Sequence, residues 1–201
     1  MGVLMPTILP KDYSHLLGKV KLSDQQLLQH FTSYQGYVKK LNEIREKLAL
    51  ADPSGGNYSF NEFSELKRRE VVAFNGTYLH ELYFGNLAET GTTEPDLELN
   101  EALQKAFGSF EAWVKNMKGC AASTPGWVVL TYDETDGSLR NHLLYEHHIG
   151  LPVHQKILLA LDCWEHAFMI DFGIKKADYV NVFFENVNWE AVNQRFAATA
   201  L

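Results

Sequence analysis

Cysteine is nearly missing from this 201-residue chain. Cys120 and Cys163 are the only two, too few for a disulfide framework, so a reducing compartment is expected, with the cytoplasm as the default. Long apolar runs are missing as well. No stretch approaches the length of a membrane span, and the opening MGVLMPTILPKDYSHLLGK lacks the apolar core and cleavage site of an export signal. Cations are scarce: 18 Lys and Arg stand against 25 Asp and Glu, a formal net charge of −7. That balance argues against nucleic acid as a partner, because phosphate binding needs a basic face. Capture of an anion would have to be local. The runs Lys39-Lys40 and Lys67-Arg68-Arg69 could do it, although such runs are usually solvated faces. Internal repeats and low-complexity segments are also absent.

What is present is apolar and aromatic. Forty-six per cent of the chain is hydrophobic and 12% aromatic, enough for a sizeable core in one large or two small domains. Residues 1–22 carry prolines at 6 and 10 and read as an irregular arm. Ser23-Asp24 offers an N-cap to a helix expected over residues 24–51, where Leu27, His30, Tyr34, Tyr37, Leu41 and Ile44 recur at spacings of 3 or 4 and form one stripe. After a loop at 52–59, a second helix is expected over residues 60–87, with His80 among Tyr78, Leu79, Leu82, Tyr83 and Phe84. The polar linker at 88–99 is the best domain boundary. A single helix over 100–122, strands at 126–132 and 139–145 around the turn at 133–137, a short strand at 157–161 and a closing helix over 177–189 complete the pattern.

Chemistry concentrates in residues 161–173, LDCWEHAFMIDFG. Asp162 and His166 stand four apart, neighbours on one face of a helix but about 13 Å apart on a strand. They converge only if the segment is helical or tightly turned. The plain alternative is a buried aromatic segment with a satisfied Asp–His pair. Likewise His30 and His80, taken singly, read more readily as hydrogen-bonded core histidines than as ligands.

The run Asp162-Cys163-Trp164-Glu165-His166-Ala167-Phe168 resembles the Asp-x-Trp-Glu-His-Ala-(aromatic) signature of the iron/manganese superoxide dismutases. Other landmarks resemble the same family: His30-Phe31 followed by Tyr37-Val38 and Leu41-Asn42, His80 followed by Leu82-Tyr83-Phe84, the run Phe107 to Glu111, and Asn188-Trp189-Glu190 with Arg195. The resemblance spans about residues 23–195. It implies an α+β fold, in which an antiparallel hairpin of two long helices (23–90, after the arm at 1–22) precedes an α/β domain (91–201) with a small three-stranded antiparallel sheet. It implies one iron or manganese ion per subunit, bound by His30, His80, Asp162 and His166 between the two parts and cycling between +3 and +2. Superoxide would be the substrate, and dioxygen and hydrogen peroxide the products. Trp127 and Trp164 would be apolar walls. Glu165 would reach the metal ligand of a neighbouring subunit, in a homodimer or homotetramer.

The chain departs from the family in four places. The family's outer-sphere side chain, commonly glutamine, has two known places. One falls on Gly76, which cannot serve, and the other on His147, the expected donor, with His148 as the fallback; an exposed loop histidine is the plain alternative. The spacing between His30 and Tyr37 is one residue short of the family's. Tyr37 is therefore matched to the gateway tyrosine and Tyr34 to the place of a family histidine. Phe168-Met169 stands where the family often has two tyrosines, and Val129 where it has a second tryptophan. The ligand set alone would also suit zinc, and an inactive protein that kept the fold is the alternative to an enzyme.

Overall fold

The computed structural model describes residues 6–89 and 94–199. Helix α1 (Asp24–Leu48) starts where Ser23 caps it, its side chain accepting from Gln26 N. Helix α2 (Glu62–Gly85) is capped by Asn61, with Glu62 and Glu65 in the first turn. Both are a few residues shorter than expected. The two run antiparallel: His30 faces His80, Tyr37 lies over Gly76, and Leu41 and Ile44 cluster with Ala73. The expected stripe on α1 is the buried face, with Tyr37 at its half-buried edge.

The expected single helix over 100–122 is two. Helix α3 (Leu97–Phe107) ends on Gly108, whose φ of 92° suits glycine alone, and Ser109 then caps α4 (Phe110–Ala122) by accepting from Ala112 N. A glycine stop beside a serine start outweighs the helical periodicity on either side. The linker expected at 88–99 lies partly outside the described residues, and α3 takes its last three positions.

Strands β1 (Trp127–Asp133), β2 (Leu139–Leu144) and β3 (Gln155–Asp162) form one antiparallel sheet in the order β2-β1-β3. The register sets Trp127 beside both Leu144 and Asp162, so the first residue of the central strand adjoins the last of β3. Helix α4 covers β1 and β2, while α2 and α7 (Trp189–Ala197) lie on β3. Beyond β3 the chain makes a 3-10 turn (Glu165–Ala167), the short α5 (Met169–Phe172) and α6 (Lys176–Glu185).

The closing helix expected over 177–189 is also broken, into α6 and α7. Ala88 N donates to Asn186 O and Asn188 N to Asn86 O, both at 2.7 Å. The end of α2 thus pairs with residues 186–188, and Asn188 caps the next helix. Arg195 braces this joint, donating to Asn86 Oδ1 and, at 2.7 Å, to Leu158 O.

One apolar core joins the hairpin, the sheet and Leu16 and Leu22 of the arm. The described part of the arm, from residue 6, is irregular as expected apart from one 3-10 turn (Ser14–Leu16), and it is tied down where Ile8 N and O bond the Asn42 side chain at 2.9 and 2.8 Å. Among the described residues no helix is long and apolar enough to cross a membrane.

Gly126 leads into β1 against the backbone of β2. A Cβ there would stand 2.1 Å from Leu144 O and 2.8 Å from Tyr145 O. Neither strand can yield without breaking its ladder. Gly126→Ala is expected to destabilise the protein by about 1–3 kcal/mol, read as a lower urea midpoint at unchanged slope; an unmoved midpoint would show that the strand edge gives way freely.

Candidate metal centre

Four side chains meet where the hairpin touches the sheet. His30 comes from the second turn of α1, His80 from the last turns of α2, Asp162 from the end of β3, and His166 from the 3-10 turn after it. One ligand atom from each lies within 4.8 Å of all the others. Asp162 Oδ2 stands 3.1 Å from His30 Nε2, 3.2 Å from His166 Nε2 and 3.6 Å from His80 Nε2. The first two histidines and the aspartate are fully buried, whereas the His166 side chain keeps 31% exposure.

Asp162 and His166 converge through the tight turn rather than a helix. The strand ends at Asp162, and Trp164 N donates to Oδ1 at 2.9 Å, leaving Oδ2 to the histidines. Tyr179 Oη donates to the Asp162 carbonyl at 2.7 Å and accepts from Tyr83 Oη at 3.1 Å, which anchors the strand end. Sequence reading missed both tyrosines and also Gln26. That buried glutamine donates to His166 O at 2.6 Å and accepts from Ile170 N at 3.0 Å. A polar residue on the apolar stripe of α1, one turn before His30, was its only signal.

The tautomer of His80 is set by its own helix. Nδ1 lies 2.5 Å from Gly76 O, a pure acceptor, so Nδ1 carries the hydrogen and the Nε2 lone pair points into the cluster. His166 Nε2 is 3.3 Å away. The His80 lone pair, two further imidazole nitrogens and a carboxylate oxygen, crowded together in a largely buried pocket, suit a cation. Three imidazoles and one carboxylate without thiolate fit iron or manganese.

Charge and burial compete at each group. Burial alone would raise the Asp162 carboxyl, but the hydrogen bonds from His166 and His30 win and hold it far below the usual carboxylate range. Burial lowers His30, and it lowers His80 to about 3. At His166 burial acts downward too, yet the bond to Asp162 and its charge outweigh it, and the pKa is raised.

A second layer of polar contacts runs past the cluster. Trp127 Nε1 donates to His147 Nδ1 at 2.8 Å. An indole nitrogen only donates, so Nδ1 is bare and the Nε2 hydrogen goes to Tyr37 Oη, 2.6 Å away. Burial depresses the His147 pKa, in keeping with this neutral form. The Tyr37 oxygen is thus filled, and its own proton is free. His147 is buried, its carbonyl bonded by Asn75 Nδ2 at 2.7 Å, so the exposed-loop alternative does not hold; His148, the fallback, is the exposed one. The Tyr37 ring lies 5.3 Å from that of His80, and a Cβ on Gly76 would come within 2.4 Å of it.

Tyr34 is turned away from this layer. Its hydroxyl accepts from Lys11 N and donates to Glu81 Oε1, both at 3.0 Å, and burial with Glu81 nearby pushes its pKa up to about 12. Trp127 stands edge-on to His80 at 5.1 Å, and Trp164 lies 5.9 Å from the His147 ring. Glu165 is exposed, and its charge adds to the upward shift of the neighbouring His166.

The comparisons agree with this geometry. Residues 95–195 match the family model for the C-terminal domain of iron/manganese superoxide dismutases. An iron superoxide dismutase of Aquifex aeolicus is 37% identical over 193 residues, 94% of this chain and 91% of the relative. One from Cupriavidus metallidurans, also named for iron, is 38% identical over 186 residues, 88% and 89% of the two chains. A manganese superoxide dismutase of Haloferax volcanii is 34% identical over 189 residues, 94% and 92% of the two. The chain belongs to the iron/manganese superoxide dismutase family.

The metal-free protein should be acid-sensitive. His30 and His80 have depressed folded values, so the folded state refuses protons that the unfolded chain accepts below the ordinary 6.5. Their contribution is intact above 6.5 and is lost as pH falls toward about 3, the folded value of His80. His166, raised, opposes this singly. The urea midpoint of metal-free protein is expected to fall from pH 7 to pH 4; a midpoint that holds or rises would contradict the buried neutral histidines.

Proposed function

We infer that this protein is a superoxide dismutase whose single iron or manganese ion is held by His30, His80, Asp162 and His166. The observation that carries this is the convergence of four ligand atoms within 4.8 Å in a chain of this family. A bound iron or manganese would supply reversible one-electron chemistry, taking an electron from one superoxide and giving one to the next. The rest is the work of the chain. Gln26, Tyr179 and the Asp162–Trp164 turn orient the ligands. Trp127 and Trp164 exclude bulk water from either side. Tyr37 is the gateway residue: its oxygen is held by His147, which leaves its proton for an arriving anion. His147, fixed in turn by Trp127, serves as the outer-sphere donor. Tyr34 has both hydroxyl roles filled elsewhere and lines the wall.

The relatives carry both metal names, and the choice depends on small shifts of potential set by these hydrogen bonds. Two unpaired cysteines support a reducing, cytoplasmic setting. We further infer a homodimer, or a tetramer built from it. Met169, Ile170 and Ile174 are 48%, 45% and 91% exposed beside Glu165 and the open side of His166. An apolar face with a carboxylate next to a ligand histidine suits contact with a second copy, whose His166 Glu165 would hold.

Separate iron-loaded and manganese-loaded samples test the activity. Dismutation is expected in at least one of them, and it should fall by more than about 100-fold, together with metal content, in His80→Ala and Asp162→Ala protein that still folds. Full activity in such a variant would overturn the ligand assignment. Glu165→Ala should shift the mass seen by light scattering toward the monomer; an unchanged assembly would remove Glu165 from the interface.

A further inference from the structure

The N-terminal arm places a charge pair beside the centre that the family resemblance does not cover. Glu81 directly follows the ligand His80 on α2. Its carboxylate is only 9% exposed and accepts from Tyr34 Oη at 3.0 Å, and the Tyr34 ring lies 6.4 Å from that of His80. A nearly buried negative charge so close to the centre would repel an anionic substrate and favour the more oxidised metal. Lys11 answers it. Its Nζ stands 2.5 Å from Glu81 Oε2, and its own backbone N–H holds the Tyr34 hydroxyl. Tyr13, two residues on, donates to Glu81 O at 3.3 Å. The arm thus grips Glu81 at two points and the Tyr34 hydroxyl at a third.

We propose that Lys11 is a charge-compensating positioning residue for the metal centre: its ammonium cancels the Glu81 carboxylate, so that a site in a strongly acidic protein stays open to a small anion. The inference rests on the assignment of His80 as a ligand. It differs from a packing role in one respect: removing both charges should do less harm than removing one. Lys11→Met takes away the ammonium and leaves the backbone hydrogen bond to Tyr34 in place.

The test compares Lys11→Met, Lys11→Arg, Glu81→Gln and the double variant Lys11→Met/Glu81→Gln in the metal-loaded protein, using azide as the anion probe and absorption as the readout. Lys11→Met should weaken azide binding about three- to tenfold and raise the KM for superoxide comparably, with kcat held within about twofold. The loss should shrink as ionic strength rises, and the midpoint potential should drop. Lys11→Arg should behave as the parent, and the double variant should return to within about twofold of parental azide affinity. Unchanged azide affinity and potential in Lys11→Met would overturn the proposal. So would a double variant as weak as Lys11→Met, since the loss would then be one of packing. A parent protein that takes up neither iron nor manganese would instead overturn the ligand assignment beneath it.

Discussion

Three imidazole nitrogens and one carboxylate oxygen, drawn from four separate segments, stand within 4.8 Å of one another where water hardly enters. Brought together without a cation, three imidazoles crowd one buried carboxylate, and the His80 lone pair has no proton donor of its own. With a cation, each group gains a partner that the unfolded chain cannot assemble. Binding free energy therefore becomes folding free energy, and it acts between the hairpin, which brings His30 and His80, and the sheet, which brings Asp162. Much of the surrounding structure holds donor atoms on aim. The Gly76 carbonyl sets the His80 tautomer, the Trp164 amide turns the Asp162 carboxylate, and Gln26 fastens the His166 turn to α1.

The second polar layer is ordered by direction. Because indole nitrogen can only donate, Trp127 fixes the hydrogen on His147, and His147 fixes the lone pair of Tyr37. One residue of the central strand, paired in register with Asp162, thereby decides which way a proton faces on the opposite helix. A rigid sheet edge suits that task, since its position is set by a ladder of backbone bonds rather than by a side-chain rotamer.

The sequence was most legible where local rules and function agree. The cap at Ser23, the histidine stripe of α1, the strands on either side of the turn at 133–137 and the metal signature all lie where local pattern and motif put them. It was least legible where long-range pairing decides the outcome. The break at 186–188 exists because residues 86–88 pair with it, which no window around the break could reveal. The break at Gly108-Ser109 was readable in principle, as a glycine stop before a serine start, but helical pattern on both sides hid it. At the centre the ligands could be named from the resemblance, while Gln26, Tyr83, Tyr179 and the Lys11–Glu81 pair could not, since their roles depend on contacts across 17 to 144 positions of sequence.

Gly76 carries a consequence for how this centre can change. It lies at one of the two places from which the family supplies its outer-sphere side chain, and here the Tyr37 ring occupies the space a side chain would need. Placing a side chain on this face of α2 would therefore take at least two coordinated substitutions: one to shift the tyrosine, and only then one to fill position 76. An intermediate with either change alone has a crowded site or an unfilled one. A side chain at position 76 and the Tyr37–His147 contact are thus separated by a steric barrier in sequence space, and a chain that keeps this contact would tend to keep its glycine.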